Sequence, residues 1–386
     1  MHNFVFHNPT KVLFGKGTIQ HAGKELAFYG KRALLIYGQN SANKNGLLHT
    51  VKGSLTEAEI EFVEHGGAKA NPTVEHVRKG IQIAKSEKID CICALGGGSV
   101  IDSAKAISAG ALVEHDVWKF FTGKKSVKNA LPLIAISTLA ASGSEMNSGM
   151  VLTNQHTLQK FGFAHRLLFP KVAIMDPETT YTVSPQQTAY GAIDSLAHIL
   201  EFYMTSVQNG TVVQDRYMEG LAMAILESCD NALKNAEDYE ARSSLMWSAA
   251  LTLNGLSSSG LGKVGFPMHL IEHSLSAIHD IPHGAGLSII IPAWFRYQAK
   301  HIPERMSQFF SRIFGITGTP QEVSEHGIQI LTTWLTNSGA PTTLGEVGIS
   351  TAEIPRLAEN ALPLAKVWRM REYDQKKIEE ILQLCG

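Results

Sequence analysis

Near residue 183 the hydrophobic pattern of this chain changes period, and that change limits what each half can become. Upstream, short apolar runs at Ala33–Tyr37, Ile60–Val63, Ile89–Leu95, Leu131–Ile136 and Val172–Met175 alternate with segments of helical spacing such as Val74–Lys88. That rhythm predicts a parallel sheet with crossover helices. Met150–Phe163 reads as a hairpin inserted in this half, which closes near Asp176-Pro177. Downstream of Ser184-Pro185, apolar residues recur every three or four positions, as in Ala189, Ile193, Leu196, Ala197 and Leu200. Similar spacing around Tyr217–Ile225, and over Leu245–Leu256, Met268–Ile278 and Leu287–Tyr297, predicts a helical second half. The expected architecture is an α/β domain over 1–183 followed by an all-α domain over 184–386.

At 386 residues the chain has length for two such cores. With 44% hydrophobic and 18% charged residues it argues against disorder and leaves apolar surface for a subunit interface, so a homodimer is expected. A formal charge of −1 creates no field that would draw in nucleic acid. No run of apolar residues is long enough to span a bilayer, and the first residues lack the pattern of a signal peptide, so the expected location is the cytoplasm, without a membrane partner. Four cysteines make no disulfide framework; Cys91 and Cys93 fall inside an apolar run and read as buried strand residues.

Leu95-Gly96-Gly97-Gly98-Ser99-Val100-Ile101-Asp102 follows a strand and opens a helix. Glycines let the backbone approach a ligand closely, and the positive end of the new helix favours a phosphate. Ser99 and Asp102 are spaced for a reciprocal cap of that helix. An earlier turn, Tyr37-Gly38-Gln39-Asn40-Ser41, lies where a doubly wound sheet holds the adenosine end of a dinucleotide, and Ser137–Glu145 adds hydroxyl residues after a further strand. An NAD site usually sets a carboxylate on the ribose hydroxyls. The 38–41 turn has none, so NADP(H) is expected over NAD(H), with Gln39, Asn40, Ser41 and nearby Lys44 at the 2′-phosphate.

Asp194 and His198 stand four residues apart on one helical face. Four histidines, His269, His273, His279 and His283, then fall within fifteen residues. His269 and His273 share a face, and Pro282 ends one helix and starts another, turning His283 back towards the first. A carboxylate with neutral imidazoles suits one divalent ion such as Fe²⁺ or Zn²⁺ with a position open for substrate.

Taken with Pro9–Gly17, Asn71-Pro72, Ser142-Gly143-Ser144-Glu145 and Asp176-Pro177, these motifs resemble the iron-dependent (group III) alcohol dehydrogenase family over nearly the whole chain. Tyr37-Gly38-x-x-Ser41 and Leu139–Asn147 are most similar to its butanol dehydrogenase and NADPH-dependent aldehyde reductase branch. The resemblance implies a dehydroquinate synthase-like pair of domains, the first binding a dinucleotide and the second a metal, with the active site between them. It implies Asp194, His198, His269 and His283 as metal ligands, with His273 beside the open position and His279 outside the set. Gly38, Gln39, Asn40, Ser41, Asn71, Gly97, Gly98, Ser99, Asp102, Thr138, Asn147, Lys160 and Thr179 would line the cofactor site. Gln39-Asn40 replaces a more glycine-rich pair and Thr179 a frequent tyrosine, both in the adenosine region.

The implied reaction is hydride transfer between NAD(P)(H) and a primary alcohol or aldehyde at the metal, with His273 moving the proton. Asp194 would be the only anionic ligand, leaving the centre a net positive charge. Two rivals use similar parts: a glycerol dehydrogenase-like or sugar-phosphate-cyclising enzyme, whose metal residues differ, and a metal-dependent hydrolase, which would leave absorbance at 340 nm flat.

Overall fold

Aliphatic runs without a polar stripe can only be buried on both faces, and the first half of the chain does this with one sheet. The computed structural model describes residues 1–39, 46–206 and 211–386. Its strands are β1 (Lys11–Phe14), β2 (Arg32–Gly38), β3 (Glu61–Ala68), β4 (Cys91–Gly96), β5 (Leu133–Ser137), β6 (Gly149–Asn154), β7 (Gln159–Ala164) and β8 (Val172–Met175). Among the described residues six of them form a parallel sheet in the order β1-β8-β5-β4-β2-β3, and β6 pairs antiparallel with β7 as the expected hairpin. The crossover helices are α1 (Ala22–Leu26), α2 (Leu47–Glu57), α3 (Val74–Ser86) and α4 (Gly98–Gly110), with a short α5 (Trp118–Phe121) before β5.

Alternation along the strands divides the side chains between two cores. Ala33 and Leu35 of β2, with Cys91, Cys93 and Leu95 of β4, pack on Leu26, Leu48, Val51 and Leu55 from α1 and α2. The intervening Leu34, Ile36, Ile92 and Ala94 are equally buried. Cys91 and Cys93 are thus free thiols inside a strand, as expected. β1 escapes the sequence reading because it is four residues long and half exposed at the sheet edge. Connections leave β2 towards β3 on one side and β4 towards β5 on the other, so the order reverses between β2 and β4. The turns at that switch point are those after Gly38 and Gly96.

The remaining helices are α6 (Pro185–Thr205), α7 (Val212–Lys234), α8 (Tyr239–Thr252), α9 (Pro267–His279), α10 (His283–Gln298), α11 (Pro303–Phe314), α12 (Pro320–Asn337), α13 (Ile354–Val367) and α14 (Gln375–Gln383). His7–Val183 with Ala236–Asn254 forms one compact unit, and Met1–Phe6, Ser184–Asn235 and Gly255–Gly386 form the other. A single cut at 183 therefore misplaces two pieces, the first six residues and α8. α8 packs on the turns at Ser144–Met146 and Pro177–Thr180, its Trp247 ring meets Phe14 edge-on at 5.7 Å, and Lys16 lies over Tyr239.

One correction concerns the start of α4. The helix begins two residues early, with Gly97 as N-cap and no side-chain cap, so the Ser99–Asp102 cap does not form. Ser99 Oγ instead donates to the Ala70 carbonyl at 2.5 Å. Asp102 is drawn inwards, accepting from Ser144 Oγ at 2.6 Å and from the Val151 amide at 2.8 Å. One helical turn on, fully buried Lys105 donates to Ser144 Oγ, to Asn147 O and Oδ1, and to the Gly149 carbonyl at 2.7–3.1 Å. This knot ties the helix behind the glycine turn to the loop leading into the hairpin.

Burial pushes the Glu145 carboxyl beside this knot up to about 7 and the Lys105 ammonium down to about 8. Glu145 keeps its proton when folded and loses it when unfolded across roughly pH 4.5 to 7, so the folded state loses stability as pH rises through that window. Lys105 acts in the opposite sense above pH 8, where the folded state has already shed its proton. Urea denaturation should therefore show a drop in unfolding free energy from pH 5 to 7, approaching ~1.4 kcal/mol per pH unit, that Glu145→Gln flattens. Parallel curves for the two proteins would contradict the assignment.

Candidate metal centre and dinucleotide turn

The candidate metal ligands come from three helices whose starts are set by short-range chemistry. Ser184 caps α6 and Pro185 occupies its first turn, placing Asp194 and His198 one turn apart. Pro267 starts α9 two residues before His269. Asp280 in a left-handed conformation ends α9, and Pro282 opens α10, so that His283 is its first residue.

These starts bring the four side chains together. Asp194 Oδ1 lies 3.6 Å from His198 Nε2, 3.4 Å from His269 Nε2 and 3.6 Å from His283 Nε2. Ligands about 2.0–2.2 Å from a shared tetrahedral ion stand roughly 3.3–3.6 Å apart, so each of these contacts to Asp194 has the spacing of two donors on one cation. Asp194, His198 and His269 each place a donor atom within 4.8 Å of the others, and His283 does the same with Glu272 and His273. Asp194 Oδ1 and His269 Nε2 are buried and make no hydrogen bond among the described residues. A desolvated carboxylate oxygen and an imidazole nitrogen left in that state are costly unless something binds both. A divalent ion fits this donor set.

The electrostatics agree. Burial by itself would raise the Asp194 carboxyl, but His198, His269 and His283 outweigh it and hold the group below the carboxylate range. Burial pulls His198 down to about 3, with Asp194 opposing. Burial also disfavours charge on His269, yet Glu201 and Asp194 lift it to about 10. Asp194 is thus an anion facing at least one neutral imidazole.

His273, one turn beyond His269, is buried with its ring centroid 5.7 Å from His283 and 6.4 Å from His269, beside the cluster. His279 pairs with Glu353 and stays out of it. The Phe266 ring stands edge-on to His198 and His269, and Trp368 stands edge-on to both His273 and Phe266, making an aromatic wall next to the donors.

Two residues went unread in the sequence. Fully buried Glu201 reaches His269 Nδ1 at 2.5 Å, and fully buried Glu272 is hydrogen-bonded to His283 Nδ1. The available signal was composition: Asp194 and Glu201 are the only acids of α6, and Glu272 is the only acid of α9. The expectation of a net positive centre is corrected accordingly, because two more carboxylates lie one imidazole away from the donors.

In the other unit, several predicted cofactor residues gather at the switch point. Gly38 pairs with Ala68, Ser99 reaches Ala70, the Thr138 amide donates to the Gly96 carbonyl, and Lys160 donates to Asn71 Oδ1 at 3.2 Å. Gly97, Gly98 and Ser99 stay partly accessible at the N-terminus of α4. A Cβ at Gly98 would sit 2.2 Å from Ser142 Oγ and 3.2 Å from its Cβ, so any larger residue here would have to displace the Ser142 side chain. An uncapped helix terminus behind glycines suits a dinucleotide's phosphates. Gln39 is exposed just beyond β2, whereas Asn40, Ser41 and Lys44 lie outside the described residues. Asp102 and Asn147 turn into the Lys105 knot, and Thr179 Oγ1 donates to the Asp176 carbonyl.

Comparison with known proteins decides the family. Residues 9–177 match the model for iron-containing alcohol dehydrogenases, and residues 188–385 match the C-terminal model of the Fe-containing alcohol dehydrogenase family. The chain belongs to the iron-containing alcohol dehydrogenase family. Within this family it is 38% identical to a probable NADH-dependent butanol dehydrogenase of Bacillus subtilis, covering 99% of each chain. It is 33% identical to an NADPH-dependent aldehyde reductase of Escherichia coli, covering 92% of each. The solved structure of an NADH-dependent butanol dehydrogenase from Thermotoga maritima superposes with a TM-score of 0.96 at 39% identity, covering 100% of this chain and 99% of that one.

The cluster makes a direct prediction. Metal analysis of anaerobically purified protein should find a bound divalent ion that Asp194→Ala loses while keeping wild-type circular dichroism. A folded Asp194→Ala protein with full metal content would contradict the ligand set.

Proposed function

We propose that the chain is a metal- and nicotinamide-dependent enzyme that interconverts primary alcohols and aldehydes. The convergence of one carboxylate and three imidazoles at cation-ligand spacing, in a member of the iron-containing alcohol dehydrogenase family, carries this reading. Asp194, His198, His269 and His283 hold the ion, iron or zinc. Bound there, the ion supplies Lewis acidity toward the alcohol or aldehyde oxygen. The glycine turn at 96–99 and the first turn of α4 hold the dinucleotide phosphates. Phe266 and Trp368 keep water from the donors and offer an apolar surface to an alkyl chain.

His273 accepts the hydroxyl proton during alcohol oxidation and returns one during aldehyde reduction. Its position one turn beyond His269 and beside His283, with its ring next to both, supports this division of labour. His273→Ala should keep its metal while turnover falls by about 10²–10⁴-fold, with a changed pH–rate profile. An unchanged profile would remove His273 from the chemistry.

The cofactor reading is NADP(H). Residues 38–46 carry no carboxylate for a ribose hydroxyl and one lysine for a 2′-phosphate. The relatives' names divide, NADH for the butanol dehydrogenases and NADPH for the aldehyde reductase. Initial rates with an aldehyde panel, followed at 340 nm, should give a higher kcat/KM for NADPH than for NADH; the reverse order would overturn the preference. The proposal includes a cytoplasmic homodimer, for which exposed Val5, Phe28, Val212 and Val213 offer apolar contact surface. No helix among the described residues is long and apolar enough to cross a membrane.

A further inference from the structure

Two imidazoles of the cluster differ from the third in what stands behind them. Glu201 Oε1 accepts the Met268 amide at 2.6 Å and the His269 amide at 3.0 Å, while its Oε2 faces His269 Nδ1. One carboxylate thus holds both the start of α9 and the ring it carries. Glu272 makes the equivalent contact to His283 Nδ1, and the Ser276 hydroxyl holds its other oxygen. Gly286, one turn along α10 from His283, makes room for it: a Cβ there would lie 2.7 Å from Glu272 Cγ and Oε1. His198 Nδ1, by contrast, is buried without a hydrogen-bond partner among the described residues. Its ring is held by stacking on His269, with centroids 4.7 Å apart, and by the edge of Phe266.

We infer that Glu201 and Glu272 are positioning residues that fix His269 and His283 as Nδ1–H tautomers and aim both Nε2 lone pairs at the cation, leaving His198 the one imidazole of the set without a carboxylate behind it among the described residues. An ionised carboxylate offers only acceptors, so each Nδ1 must donate, and the nitrogen left to bind the cation is Nε2. The ring is then oriented before the metal arrives, and its basicity is raised by the negative charge behind it. The inference rests on the metal-centre reading above and adds the groups that make that centre retain its ion.

Glu201→Gln separates tautomer control from bulk. If the amide oxygen keeps the two backbone amides, its NH₂ faces His269 Nδ1 and forces the ring proton onto Nε2, where it blocks the cation. Gly286→Ala leaves every ligand and both carboxylates in the sequence but displaces Glu272 from its niche.

The test is Co²⁺ titration of the metal-stripped full-length protein, with affinity from chelator competition and the visible d–d spectrum as a second readout. Melting of the metal-free proteins serves as the stability control. Glu201→Gln and Gly286→Ala should each weaken Co²⁺ binding by about 10–100-fold and change the spectrum. Should Glu201→Gln fail to fold, Gly286→Ala tests the same claim on the other carboxylate. If the folded variants bind Co²⁺ with wild-type affinity and spectrum, and only the melting temperature falls, the carboxylates are structural and the inference is overturned. Failure of the metal-centre reading looks different: the wild type and Asp194→Asn would then bind Co²⁺ alike.

Discussion

A buried carboxylate oxygen facing three imidazole nitrogens is the constraint on which the helical unit depends. Asp194 Oδ1 sits within 3.6 Å of three Nε2 atoms, inside a protein interior where an unpaired anion is heavily penalised. Helix starts at Ser184-Pro185, Pro267 and Pro282 serve that convergence by fixing the register of the side chains that follow. Glu201 and Glu272 extend the constraint outwards, since each is fully buried and each faces an imidazole of the cluster. The cluster, its orienting carboxylates and the aromatic wall of Phe266 and Trp368 therefore form one polar interior enclosed by apolar packing.

The α/β unit answers a different demand. Its sheet reverses strand order between β2 and β4, and the two turns there are the ones richest in glycine and small polar residues. Lys105 and Asp102, buried behind the Gly97–Ser99 turn, bind the Ser144–Val151 loop and hold that turn against the rest of the domain. These two charged residues thus do structural work behind the glycine turn.

Much of this was legible in the sequence because it rests on short-range rules. Aliphatic runs located most of the sheet, including the buried cysteines of β4, and Met150–Phe163 showed the hairpin. The spacing of Asp194 with His198, and the helix break at Pro282, pointed to a cluster through one-turn geometry. What escaped depends on tertiary partners. β1 is too short and too exposed to carry an apolar signature. Asp102 looked like a helix cap because capping is local, and a loop more than forty residues away outcompeted it. α8 reads as one more helix of the second half, yet it packs with the sheet unit, which no periodicity reveals. Glu201 and Glu272 carried only the weak signal of lone acids in apolar helices, and their meaning appears once α6, α9 and α10 are placed together.

X-ray absorption at the metal K-edge is the most direct test of the central claim. The account predicts a shell of nitrogen and oxygen donors at about 2.0–2.2 Å, with multiple-scattering features from three imidazoles. A shell with fewer than three imidazoles, or one containing sulfur, would contradict it.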